Sequence, residues 1–175
     1  MANNDEELVF TPPETYQDAL YEHDKYKIFA TYFAPYMKGV THVQQRNPKW
    51  NIKTPAGKEV LFDFGKECHC LNNGMCFYMM NHGTNYFYLG VDLNGQSGPN
   101  RAGRDVFYFA LHFTNNGITV DEKTYGYNKM TNLYEGYTDS SGGGCNKTDT
   151  KWSNGATCTA IIMHNNWKIP ADYPW

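Results

Sequence analysis

Three apolar runs, MCFYMM (75–80), NYFYLGVD (85–92) and DVFYFALHF (105–113), occupy the middle of the chain, separated by segments rich in Gly, Asn and Pro. Aromatic-rich runs of this length, closed off by turn residues, read as strands. The tetrads LNNG (71–74) and NHGT (81–84) between them supply Asn and Gly, which accept the positive φ of tight hairpins. The centre of the chain is therefore committed to antiparallel sheet. KEVLFDFG (58–65) reads as an earlier strand, and NNG at 115–117 introduces a short ITV strand. CTAIIMHN (158–165) is the last apolar run and reads as a closing strand before WKIPADYPW.

Ahead of the strands, residues 14–38 carry the pattern of a helix. Tyr16, Leu20, Ile28, Tyr32 and Tyr36 recur near the spacing of one helical face. Thr15 suits the N-cap with Asp18 three residues on, Pro35 ends or kinks the helix, and Gly39 marks its exit. The expected fold is α+β: one N-terminal amphipathic helix packed on an antiparallel sheet, with a disulfide-stapled, loop-rich C-terminal region. Residues 1–13 read as a flexible polar lead-in and 14–175 as one globular domain, a length that buries a substantial core.

A formal net charge of −3 with Lys+Arg of only 15 leaves no polybasic surface for nucleic acid. No apolar run reaches the 18 residues of a membrane span, and no charged-then-apolar leader opens the chain. The five cysteines point to an oxidising, extracytoplasmic setting. Cys145 and Cys158 bracket a Gly-, Asn- and Thr-rich segment with little apolar content, which gains most from a covalent staple. In CHCLNNGMC, Cys76 has Cys68 or Cys70 as partner, with Cys70 and Cys76 as candidate disulfide residues, and one of the three thiols is left over. A zinc site from Cys68, His69, Cys70 and Cys76 is disfavoured, because zinc knuckles space their cysteines by two to four residues and adjacent strand positions point to opposite faces.

The segment DLNGQSGPNRAGRD (92–105) packs oxygen-bearing side chains between glycines, as a hard cation or a tightly wound loop requires. Asp92, Asn94, Gln96, the Gly98 carbonyl and Asn100 fall on alternate positions, the rhythm of an EF-hand. The glycine of position six and the glutamate of position twelve are replaced by Ser97 and Gly103, which argues against an EF-hand. A looser calcium site from Asp92, Asn94 and Asp105 stands beside a purely structural reading. There Asp92 and Asn94 cap turns and Arg104 pairs with a carboxylate.

Three segments in this order resemble bacterial type IV pilin-like proteins and the related pseudopilins of type II secretion. They are the helix end IFATYFAPYMKGV, the loop and strand DLNGQSGPNRAGRDVFYF, and the ending CTAIIMHNNWKIPADYPW. The resemblance implies a helix packed across an antiparallel sheet. It further implies a non-catalytic structural or priming subunit of a pilus or pseudopilus, with other such subunits as partners and calcium in a head loop. The cleavage-and-methylation signal and apolar anchor helix of that family are not present. On this reading residues 1 to about 13 stand in their place, and contact with a membrane would run only through that absent helix.

Two other classes are weighed. No Gly-x-Ser-x-Gly elbow, HExxH helix or phosphate loop points to an enzyme, and Cys76 with His82 or His112 lies where a disulfide is expected. A cell-surface adhesive or carbohydrate-binding module is the stronger alternative, since aromatic faces among Asn and Asp groups suit sugar stacking. Tyr134, Tyr137, Trp152 and Trp175 are its candidate binding surface, toward a host or surface ligand. The sequon Asn146-Lys147-Thr148 permits glycosylation in a competent host.

Overall fold

Cys76 and Tyr78 pack on one side of the sheet and Phe77 and Met79 on the other, so the central strands bury both of their faces. This is why the runs 75–80, 85–92 and 105–113 are almost continuously apolar and not strictly alternating. The computed structural model describes residues 29, 33–41, 52–58, 68–81, 86–114, 117–121, 130–132, 136–137, 144–148 and 156–175. Six strands form an antiparallel sheet in chain order: β1 (Val40–Thr41), β2 (His69–Leu71), β3 (Cys76–Asn81), β4 (Tyr86–Asp92), β5 (Val106–Thr114) and β6 (Gly117–Asp121). β7 (Met130–Asn132) and β8 (Gly136–Tyr137) make a separate two-stranded ribbon. A C-terminal helix, α1, spans Ala156–His164.

The register is a plain meander. Cys76 to Asn81 run opposite Asp92 to Phe87, and Tyr86 to Asp92 opposite His112 to Val106. In the turn from β2 to β3, the N–H of Gly74 donates to the Leu71 carbonyl at 2.9 Å, and Asn73 Oδ1 accepts the Met75 N–H at 3.0 Å. Gly74 holds φ +91°, a conformation open to glycine at little cost.

One face of the sheet carries Ile52, Cys68, Cys76, Tyr78, Ala102, Val106 and Tyr108. The other gathers Phe29, Phe77, Met79, Phe87, Leu89 and Leu111. Phe29 and Phe87 are wholly enclosed. Full burial of an aromatic side chain contributes roughly 1.5–3 kcal/mol, so this second cluster is the larger apolar reserve. His69, buried at the sheet margin, lies against Phe29 with ring centroids 4.1 Å apart.

The expected α+β arrangement, with one N-terminal amphipathic helix as the helical layer over the sheet, is overturned. Among the described residues the chain is mostly β, and the α-helix described over a span, Ala156–His164, is C-terminal. Residues 14–28 and 30–32 of the expected helix lie outside the described residues; Phe29 between them is helical, and beyond them Ala34–Tyr36 form a short 3-10 turn with Pro35 as its second residue. Residues 59–65 of the expected strand at 58–65, residues 82–84 of the NHGT turn and Asn85 at the head of the next run also lie outside.

The closing strand at 158–165 is overturned as well, because Ala156–His164 are helical. Thr157, Cys158, Thr159, Ala160 and Ile161 are all buried. A helix enclosed on every side shows a continuous apolar run without periodicity, which sequence alone does not separate from a buried strand. α1 packs on β5, where β6 pairs only with Ala110 to Thr114. Beyond that stretch, the N–H of Tyr108 donates to the Thr159 hydroxyl at 3.0 Å. The helix thus meets a backbone donor that a seventh strand would otherwise have to satisfy.

Among the described residues no helix is long and apolar enough to cross a membrane.

Candidate functional site

Asp92 ends β4 with its side chain fully buried, a costly place for a carboxylate unless donors surround it. Its Oδ1 accepts the backbone N–H groups of Asn94 at 3.1 Å and Gly95 at 2.8 Å, and its Oδ2 accepts the Tyr78 hydroxyl at 3.3 Å. Asp105, thirteen residues later, does the same at the loop exit. Its Oδ2 takes the Asn100 N–H at 2.7 Å and its Oδ1 the Arg101 N–H at 2.6 Å. The Asn94 amide donates to the Gly98 carbonyl at 2.6 Å, and the Leu93 N–H reaches the Asp105 carbonyl at 2.8 Å. The loop is thereby wound on two carboxylates through its own N–H groups. Arg104 is exposed, so the expected pinning of the loop by that residue is carried instead by backbone donors.

The loop is also tied to two distant segments. Lys53 donates its N–H to the Asn100 carbonyl at 2.7 Å and accepts from Ala102 at 2.9 Å, a short bridge from 52–58 onto the loop. At Gly103, φ is +82° and the backbone approaches Cys158 so closely that a Cβ would overlap its sulfur. The Tyr173 hydroxyl donates to the Gly103 carbonyl at 2.5 Å. Tyr173, Cys145, Cys158 and Ile161 form their own buried cluster, with Trp175 packed against it. The C-terminal tail therefore closes over the exit of the 92–105 loop.

Two disulfides fix these parts. Cys145 is bonded to Cys158 and Cys70 to Cys76, and Cys68 is a buried free thiol. Cys68 and Cys70, two residues apart, fall on the same side of the sheet, with sulfurs 3.5 Å apart. The opposite-face argument applies to His69 between them, which faces Phe29. Burial first, and the Asp92 charge second, push the Cys68 thiol up to about 12. The same two causes push the Tyr78 hydroxyl far above the ordinary phenol range. Both groups therefore keep their protons at neutral pH, the opposite of an activated nucleophile.

For a hard cation the loop offers two further oxygens. Asn94 Oδ1 and Asn100 Oδ1 are buried with no hydrogen-bond partner among the described residues. Neutral amide oxygens beside carboxylates are ligands that calcium accepts, so the donor set of Asp92, Asn94, Asn100 and Asp105 fits that ion by type. Asn100 was absent from the ligand set expected from spacing. It falls on the alternate-position ladder but not in the looser set of Asp92, Asn94 and Asp105; its burial in a left-handed backbone conformation, φ +52°, is what brings it in.

The aromatic surface expected from sequence is placed only in part. Tyr134 and Trp152 lie outside the described residues, and Tyr137 is described only as part of β8. Trp175 packs on the Cys145–Cys158 cluster with the Lys147 ammonium 5.5 Å above its ring, so one face is already covered. Among the described residues the exposed indole belongs to Trp167, 62% accessible and stacked on Phe109 at 6.0 Å. Asn166 and Trp167 both hold positive φ, at 52° and 60°. A bulky residue there is strained and persists only where its surroundings enforce it.

The chain belongs to a family of unknown function (DUF6613), whose model matches residues 3–175. No curated protein and no solved structure matches it.

Proposed function

We propose that the chain is the head domain of a non-catalytic structural subunit in an extracytoplasmic filament of the type IV pilus or pseudopilus kind. The observation that supports this reading is the junction of loop and tail. The two segments carrying the most specific resemblance, 92–109 and 158–175, are far apart in sequence yet bonded to each other. Tyr173 donates to Gly103, Tyr108 to Thr159, and Cys158 sits against Gly103. Such a junction suits a part whose work is to hold a shape against neighbouring subunits. The two disulfides favour an oxidising compartment. The upward-shifted Cys68 and Tyr78 favour a domain without turnover.

In this reading the 92–105 loop is calcium-stabilised, with Asp92, Asn94, Asn100 and Asp105 as the oxygen donors. The support is the pair of buried, unpartnered amide oxygens in a loop that already holds two carboxylates. Calcium would supply positive charge and fix the loop's shape, and would take no part in chemistry.

Immunogold electron microscopy on producing cells, with antibody raised against the folded domain, tests the assignment. Label along surface filaments is expected; label confined to the cell interior would contradict it.

A second reading, an adhesive or carbohydrate-binding module, is favoured by Trp167 alone. Its exposed indole rests on Phe109 among the exposed His164, Asn165, Asn166 and Lys168, an apolar plate ringed by polar groups. A glycan array with the purified domain and its Trp167→Ala variant separates the two: Trp167-dependent binding supports this reading, and no binding leaves the structural one.

A further inference from the structure

Antiparallel pairing sets Cys70 directly opposite Cys76, and Cys68, two residues before Cys70, projects on the same side. The strands and the hairpin between them impose this arrangement, and the register is made by backbone bonds that persist when the disulfide opens. All three sulfurs lie within 4.8 Å of one another. Cys68 therefore sits beside the Cys70–Cys76 bond and off its axis, away from the in-line approach that thiol–disulfide exchange requires. A compact triangle of sulfurs suits a shared ligand better than exchange.

We propose that, once its disulfide is reduced, the Cys68–Cys70–Cys76 cluster is a binding site for one thiophilic cation of the copper(I) class. Thiolates are soft ligands that select such ions over calcium or magnesium. Among the described residues no fourth His, Cys, Asp or Glu joins the group, whereas structural zinc is almost always held by four ligands. Three sulfurs without a fourth match a three-coordinate copper(I) centre. Cys70 is half-buried and gives an entry route, while Cys68 and Cys76 are enclosed. The buried Asp92 carboxylate adds a second, independent reason. It accepts the Tyr78 hydroxyl at 3.3 Å, and Tyr78 packs in the same cluster as Cys68 and Cys76, so a buried negative charge lies on the side of the sheet that holds the sulfurs and favours a positive ion there.

The chemistry balances simply. A dithiol reductant passes two electrons and two protons to the Cys70–Cys76 bond and is itself oxidised to a disulfide, leaving three thiols. The ion then displaces the protons of the sulfurs it engages to solvent, so binding strengthens as pH rises. With the disulfide closed, two of the three ligands are absent and the site does not exist. The same cysteines are thus a staple under oxidising conditions and a metal site under reducing ones.

Anaerobic competition between the reduced chain and a chromophoric copper(I) chelator tests this, with Cys68→Ala and the near-isosteric Cys68→Ser treated identically. Reduced wild type is expected to hold one copper(I) roughly tenfold or more tighter than either variant. Cys145 and Cys158 are common to all three chains and cancel in the comparison. Bound copper(I) should also protect the half-buried Cys70 from alkylation, as mapped by mass spectrometry, and the disulfide-intact chain should take none. Equal affinity in wild type and the Cys68 variants, or an alkylation pattern unchanged by copper(I), would overturn the proposal.

Discussion

The Tyr173 hydroxyl donates to the Gly103 carbonyl at 2.5 Å across 70 residues of sequence, both partners being buried. Tyr173→Phe keeps the ring packing and removes only the donor, leaving a buried carbonyl without that bond. The expected loss is about 1–3 kcal/mol. For a chain of this length that lowers the melting temperature by roughly 2–4 °C per kcal/mol. Calorimetry on the two proteins measures it, and an unchanged Tm would remove the bond from the account.

Gly103 is expected to be less tolerant still. At φ +82° with Cys158 against its Cα, any side chain meets both backbone strain and a sulfur that the Cys145 disulfide holds in place. Gly103→Ala should destabilise by more than Tyr173→Phe, on the order of 2–4 kcal/mol. It should also slow closure of the Cys145–Cys158 bond during oxidative refolding. Denaturant titration together with thiol counting during refolding checks both effects.

Calcium should raise the thermal stability of the native domain, because a ligand that binds only the folded state must do so. Asp92→Ala should abolish the rise, and Asn100→Ala should reduce it while leaving the carboxylate–N–H bonds of Asp105 in place. Differential scanning fluorimetry in millimolar calcium against chelator decides the point. A Tm equal in both media would leave the loop held by its own donors alone.

Cys68 gives the domain a particular alkaline behaviour. Its thiol is raised from 9.0 to about 12 in the fold, so the folded state holds this proton more firmly than the unfolded chain does. Below pH 9 both states are protonated and the contribution is intact. As pH climbs from about 9 toward 12 the unfolded state ionises first, and stability falls. The gap in denaturant midpoint between wild type and Cys68→Ala should therefore shift against the wild type across this window. A constant gap would mean the thiol ionises as readily inside as outside.

Much of the sheet was legible because local chemistry and tertiary context agree there. Aromatic runs bounded by Asn and Gly became β3, β4 and β5 with bounds close to those expected. The C-terminal helix was not legible, because Thr157 to Ile161 are buried on all sides and carry no helical period. Within the loop, Asp92 and Asp105 stand out by charge, whereas the part of Asn100 depends on burial set by distant segments. The contact of Tyr173 with Gly103 leaves no local trace, since either residue alone is an ordinary loop residue. The exposure of Trp167 is equally hidden, as its neighbours His164, Asn165 and Lys168 would read the same around a buried indole.

We have proposed that this domain is a building block of a surface filament. The most direct measurement is the amount of the chain in the pelletable fraction sheared from producing cells, quantified by mass spectrometry against the supernatant. The account predicts enrichment in the filament pellet, together with at least one other subunit of the same assembly. Recovery solely as a free monomer in the supernatant or inside the cells would contradict it.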